Sequence, residues 1–161
     1  MKIIKIFFCL LILSSLAGCH SSKQASQKKP QKKTDQLLVY AKKYIGSPYK
    51  YGGTTPKGFD CSGYVQFVFR EFGYYLPRST PDQAKAGSKV KDSNRKPGDL
   101  VFYKGSNRKS KKAGHVGIIT KVYKNGSFQF IHASSNKGIR LDDSEQSYYK
   151  SRYLTTRRII Q

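Results

Sequence analysis

The sequence predicts an α+β domain, with helices in its first half packed on an antiparallel β-sheet built from its second half. Three observations carry this. Val65, Val68, Phe69 and Phe72 recur at helical spacing and give one apolar helix face. Beyond Lys96-Pro97-Gly98-Asp99 the apolar period changes from helical to two. Asn125-Gly126, set between two such alternating runs, is a strong hairpin signal. Helices followed by a meander of strands is the α+β pattern.

The chain has 161 residues, which suits one domain plus an appendage. Residues 1–18 read as a signal peptide. Lys2 and Lys5 form a positive start, and Ile6 to Leu13 form an apolar run too short to span a bilayer as a helix. The run ends in Leu16-Ala17-Gly18-Cys19, which resembles the lipobox of bacterial lipoproteins. That resemblance implies cleavage before Cys19, acylation of its thiol and a membrane anchor there. His20 follows Cys19 where such proteins often carry a retaining Asp. The implied place is the outer membrane, facing the periplasm, in a host that has one, and otherwise the outer face of the cell membrane. An ordinary signal peptide cut near the same place is the alternative. Residues 19–33 hold Cys19 and then a tether rich in Ser, Gln and Lys, without apolar periodicity.

Residues 34–161 form the predicted domain. Thr34 or Asp35 caps a first helix whose buried stripe is Leu37, Leu38, Ala41, Tyr44 and Ile45. Gly46-Ser47-Pro48 ends it. A glycine-rich loop, Tyr49 to Phe59, leads to a second helix from Cys61 to about Glu71, capped by Asp60 and broken by Gly73. Leu76 to Pro81 turns into a short helix with Thr80 as cap and Pro81 at its first position. The strands follow: Leu100 to Tyr103, His115 to Val122, Ser127 to Ala133, Gly138 to Leu141, and Tyr153 to Ile160 closing the sheet. Tyr148-Tyr149 sits in a helical turn. Asp99 reads as a turn residue.

The formal charge of +22 points to an anionic partner such as nucleic acid, a membrane surface or a wall polymer, or simply to solubility. The lysines are scattered, and neither zinc-finger spacing nor a helix-turn-helix signature is present, which argues against specific nucleic-acid recognition. Of the three cysteines, Cys9 and Cys19 belong to the apolar N-terminal segment. Cys61 alone remains in the domain, so a disulfide framework and a cysteine-based zinc site are excluded by count.

Cys61 falls in the first turn of its helix, where unpaired N–H groups and the helix dipole favour a thiolate. A small buried apolar role is the bland alternative. A nucleophilic cysteine needs a base, usually held by a third group. With His20 in the tether, His115 and His132 exhaust the domain's histidines. The hairpin at Asn125-Gly126 makes their strands antiparallel, so the start of one lies beside the end of the other. The expected set is Cys61 as nucleophile, His115 as general base and acid, and His132 orienting His115.

Asp60-Cys61-Ser62-Gly63, Gly114-His115-Val116-Gly117 and His132-Ala133-Ser134 resemble the three catalytic blocks of the NlpC-type family of bacterial cell-wall cysteine peptidases. Tyr49-Lys50-Tyr51-Gly52-Gly53, Leu76-Pro77-Arg78-Ser79-Thr80 and Pro97-Gly98-Asp99-Leu100-Val101-Phe102 are similar to its other segments. The resemblance runs from about Thr34 to the end of the domain. It implies a papain-like fold and hydrolysis of peptidoglycan stem peptides, most commonly between D-γ-glutamyl and a diamino acid. No cofactor or metal is expected, the partners expected are the stem peptides and the membrane reached through Cys19, and the chain is expected to be a monomer. The resemblance also implies that Tyr49 turns its hydroxyl into the site. Asp60 and Ser62 border the cleft or serve the cap, and Arg78 either meets a stem carboxylate or ties down its turn. The basic loop from Lys104 to Lys112 departs from the family pattern. An acyl- or amide-transferring enzyme on the same fold, and a non-catalytic wall-binding lipoprotein, are the competing readings.

Overall fold

In the computed structural model of the chain, residues 32–161 are described. The signal segment, Cys19, His20 and the tether as far as residue 31 lie outside them. Leu37, Leu38 and Ala41 bury one side of helix α1 (Lys33–Lys42). The helix starts at Lys33, with Lys32 as an N-cap that makes no side-chain bond. Thr34 and Asp35 therefore sit inside the first turn and are not caps. There the Asp35 carboxylate meets the positive end of the helix dipole. Ile45, expected in the buried stripe, is exposed because the helix has already ended.

The glycine-rich loop holds a small hairpin that alternation did not reveal, β1 (Thr54–Thr55) with β2 (Gly58–Phe59). Helix α2 (Cys61–Glu71) follows and buries Tyr64, Val65, Val68 and Phe69. The Tyr64 hydroxyl donates to the Ala41 carbonyl at 2.8 Å, tying α2 to α1. Helix α3 (Thr80–Gln83) is capped by Ser79, whose hydroxyl accepts from the Asp82 N–H. Thr80 is thus the first helical residue rather than the cap, and Pro81 the second.

Six strands make one antiparallel sheet: β3 (Ser88–Val90), β4 (Leu100–Lys104), β5 (Ala113–Val122), β6 (Phe128–Ser134), β7 (Gly138–Asp143) and β8 (Tyr153–Arg158). Their order is β3-β8-β4-β5-β6-β7. The last strand lies inside the sheet between β3 and β4, because the short β3 takes the edge. Asp99, in the turn before β4, forms an ion pair with Arg158 of β8 at 2.7 Å and accepts from the Lys96 N–H.

Alternation sorts the strand residues onto two faces. Leu100, Phe102, Val116, Ile118, Ile131 and Ala133 pack against α1 and α2. Val101, Tyr103, Ile119, Phe128 and Phe130 form a second core with Tyr149 of the short helix α4 (Ser147–Lys150). This is the α+β, papain-like arrangement that the order of elements predicts, with a helix bearing the cysteine laid against a sheet bearing both histidines.

Candidate active site

The start of α2 is held by one carboxylate. Asp60 Oδ1 accepts from the Gly63 N–H at 2.7 Å, and Oδ2 accepts from the Gly52 N–H at 3.0 Å. Arg78 grips the same carboxylate with both terminal nitrogens, and its Nη1 also donates to Ser62 Oγ at 2.9 Å. One ion pair therefore joins the glycine-rich loop, the first turn of α2 and the segment before α3. Asp60 serves the cap, Ser62 is buried beside it, and Arg78 is committed to both.

Thr80, displaced from the cap, turns its hydroxyl to Cys61, with Oγ1 3.5 Å from Sγ. Burial pushes the Cys61 thiol above its ordinary pKa, and the Asp60 charge adds to this. The Thr80 hydroxyl and the backbone N–H groups of Val116 and Ser62 pull the other way without cancelling it. Burial thus outweighs the pull of the helix terminus, and the Cys61 pKa is raised rather than lowered.

His115 Nε2 and His132 Nδ1 lie 2.8 Å apart, their rings nearly perpendicular. The hairpin turn does not by itself produce this contact. Next to the turn, Val122 pairs with Phe128 and Lys121 with Gln129; past Thr120, Ile119 pairs with Phe130 and Ile118 with Ile131. Thr120 is a bulge, its hydroxyl bonded to Gln129. A one-residue shift exchanges the faces of a strand. Without the bulge, His132 would share a face with Val116 and Ile118. With it, His132 lies opposite Gly117 on the face of His115. A Cβ on Gly117 would stand 3.2 Å from His132 Cβ and 2.6 Å from Phe130 Cδ2, so the close approach needs glycine.

The chain of contacts continues to Asp142, which was missed. Its Oδ2 accepts from His132 Nε2 at 2.9 Å and from the Tyr149 hydroxyl at 3.1 Å. Its Oδ1 accepts from Gln146 Nε2 at 3.1 Å and pairs with Arg140 at 2.7 Å. Burial opposes ionisation, yet the bonds from His132, Gln146 and Tyr149 hold the Asp142 carboxyl below its ordinary range. An ionised Asp142 requires a proton on His132 Nε2. His132 Nδ1 is then an acceptor and His115 Nε2 a donor, which leaves His115 Nδ1 as a free lone pair. Burial, and secondarily the neighbouring His132, push His115 down to about 3 despite the Asp142 charge. Burial also lowers His132 against the pull of Asp142. Both rings are neutral near pH 7.

A cavity of about 470 Å³ is lined by Tyr49, Cys61, His115, His132 and Tyr149. A second, of about 420 Å³, is lined by Tyr49, Cys61, Asp60, Ser62, Arg78 and Thr80. The two meet at Tyr49, Cys61 and Gly114 and form one groove across the sulfur. The structure thus gathers all seven domain residues singled out from sequence, and adds Thr80, Asp142 and Tyr149. Asp142 had a readable signal: Arg140 and Asp142 alternate with Ile139 and Leu141, but the expected strand stopped at Leu141. Thr80 had none, since its role depends on which residue caps α3. A further cavity of about 390 Å³ lies beyond Tyr149 and contains neither Cys61 nor either histidine. Among the described residues, no group of three or more His, Cys, Asp and Glu is placed to hold a metal ion.

A family model described as the NlpC/P60 family matches residues 46–158. Murein DD-endopeptidase MepS/Murein LD-carboxypeptidase of Escherichia coli (strain K12) is 43% identical over 116 residues, which cover 71% of this chain and 57% of that protein. The protein named Probable endopeptidase NlpC of the same organism is 34% identical over 161 residues, covering 94% and 99%. The gamma-DL-glutamyl hydrolase of Bacillus subtilis (strain 168) is 42% identical over 128 residues, covering 78% of this chain but 30% of that one. The chain therefore spans less than two thirds of two of these three relatives. Among solved structures, an NlpC/P60 family protein from Bacillus cereus superposes with a TM-score of 0.72 at 26% identity, covering 82% of this chain and 42% of its own. The NlpC/p60 domain of peptidoglycan hydrolase SagA gives 0.63 at 30% identity, covering 76% and 96%.

Proposed function

This chain belongs to the NlpC/P60 family, and from that premise we propose that it is a cysteine peptidase that hydrolyses peptidoglycan stem peptides. The observation that carries the reading is the 2.8 Å contact between His115 and His132 in a cavity that also contains Cys61. His115 Nδ1 takes the thiol proton as Sγ attacks the scissile carbonyl carbon. The Gly63 N–H is occupied by Asp60 and the Ser62 N–H is turned to the sulfur. The Cys61 N–H is then the first-turn donor left for the developing oxyanion, with the Tyr49 hydroxyl at the rim of the same groove. The His115 imidazolium, stabilised through His132 by Asp142, protonates the departing amine and leaves a thioester. Water, deprotonated by His115, attacks that thioester and releases the acid and the thiol.

The bond assigned is the one between D-γ-glutamyl and the diamino acid, in keeping with the name of the Bacillus subtilis relative. The name of the MepS relative supports a second reading, cleavage of a D,D cross-link. Leu16-Ala17-Gly18-Cys19 supports export and acylation at Cys19, which places the enzyme on the envelope at the end of a tether. Digestion of defined wall fragments by the full chain, with mass analysis of the products, tests all of this. Release of fragments by wild type and none by Cys61→Ala is expected, and product masses separate the two bonds. Equal release by Cys61→Ala overturns the peptidase reading, and aminolysis products with an added amine would favour a transferase. Radiolabelled palmitate incorporation that survives Cys19→Ser would refute the anchor.

A further inference from the structure

The end of β4 and the segment joining it to β5 carry Lys104, Arg108, Lys109, Lys111 and Lys112 and no acidic residue. Among the described residues none of these five cations forms an ion pair, although Arg78, Lys85, Arg95, Arg140, Lys150 and Arg158 all do. The loop is folded on its own polar groups. Asn107 Oδ1 accepts from the Lys109 N–H at 2.9 Å, and Ser110 Oγ accepts from the Lys112 N–H at 3.0 Å. These turns use the backbone and leave the charged side chains of residues 108, 109, 111 and 112 exposed.

The base of the loop is part of the catalytic groove. Gly105 and Gly114 pass so closely that a Cβ on Gly114 would stand 2.6 Å from the Gly105 nitrogen. Gly105, Ser106 and Gly114 line the same cavity as Cys61 and His115. That lining contains no Asp or Glu, and both histidines in it are neutral. The lining thus carries no carboxylate of its own, and the loop with the five unpaired cations leaves it at Gly105 and Ser106. The Asp60 carboxylate of the adjoining cavity is bound by Arg78, so a carboxylate on the molecule being cut meets no unpaired negative charge in the groove and attraction from the loop.

We infer that the loop from Lys104 to Lys112 is a specificity arm that selects wall peptides bearing a free carboxylate beside the scissile bond. This rests on the γ-glutamyl reading above. A γ-linked glutamate spends its side-chain carboxyl in the amide and keeps its α-carboxylate, on the same residue as the carbonyl that Cys61 attacks. The same peptide with that group amidated lacks the charge. The loop's attachment to the groove favours a carboxylate on the substrate over a separate phosphodiester polymer.

The test compares two peptides, L-alanyl-γ-D-glutamyl-diaminopimelate with a free glutamyl α-carboxylate and the same peptide with that carboxyl amidated. Both are cut by the full chain and by a variant with Lys104, Arg108, Lys109, Lys111 and Lys112 all changed to Gln. Wild type is expected to favour the free acid in kcat/KM by about tenfold at low salt, the preference residing in KM. The variant should cut both within about twofold of each other, with kcat on the amidated peptide unchanged. Salt raised from about 20 mM to about 500 mM should erode the wild-type preference alone. An unchanged preference in the variant, or an equal loss on both peptides, overturns the inference. So does a variant that keeps its preference but no longer sediments with a purified phosphodiester wall polymer. If wild type cuts neither peptide, the γ-glutamyl assignment fails, and the inference with it.

Discussion

Asp142→Asn isolates the far end of the proton chain without touching the groove, whose lining does not include this residue. The carboxylate accepts three hydrogen bonds, from His132, Tyr149 and Gln146, at 2.9 to 3.1 Å, and pairs with Arg140 at 2.7 Å. An asparagine has one acceptor oxygen and one donor group at the same two positions. If its oxygen faces His132, its amide meets Arg140 and Gln146, both donors, and a part-buried guanidinium loses its partner. If its amide faces His132, the tautomer reverses. His132 Nδ1 then carries the proton, His115 Nε2 must accept, and His115 Nδ1 is no longer the base. Each charge-assisted bond lost is worth about 1.5–3 kcal/mol. Removal of the charge that stabilises the imidazolium adds to the barrier. A loss of about 3–4 kcal/mol in the transition state corresponds to ~10²–10³ in kcat. Asp142 does not reach the substrate, so KM should stay within about twofold. Initial rates on a defined stem peptide measure both constants. Alkylation of Cys61 at alkaline pH, which needs no base, should proceed at the wild-type rate and report an intact site. Full alkylation with kcat within about threefold of wild type would refute the proton chain, because tautomer control would then have no catalytic weight.

Three further outcomes follow from the same geometry. Thr80→Val removes the hydroxyl that lowers the Cys61 pKa, so the pH midpoint of thiol alkylation should move upward; no movement would mean the 3.5 Å contact has no effect. Gly117→Ala puts a methyl 2.6 Å from Phe130 and 3.2 Å from His132, and should cost about 1–3 kcal/mol in denaturant unfolding together with at least about tenfold in kcat. Wild-type values for both would show that His132 has room to spare. His115 is depressed from 6.5 to about 3 in the folded state, so the unfolded chain binds more protons between those values. Stability should be level above about pH 7 and fall as pH drops from 6.5 towards 3, and His115→Gln should flatten that slope; a slope unchanged in the variant would place the titration elsewhere.

The elements of this fold are written locally. The α2 face follows from Val65, Val68 and Phe69, its start from Asp60, and the hairpin from Asn125-Gly126, because capping, apolar period and turn chemistry act over a few residues. The candidacy of Cys61, His115 and His132 was equally local, since each residue type occurs so rarely in the domain. What only the tertiary structure decided is long-range. Thr120 bulges out of β5 and turns His132 to the face of His115, a one-residue effect that no alternation pattern announces. Arg78 closes on Asp60 across 18 positions, which makes it a clamp on the cysteine helix. Asp142 extends the hydrogen-bonded chain of His115 and His132 from the neighbouring strand. Cys61 illustrates the reason. Its helix terminus favours a thiolate, but the pKa depends on burial beneath α3 and β5, and burial is a property of the packed molecule rather than of any segment in it.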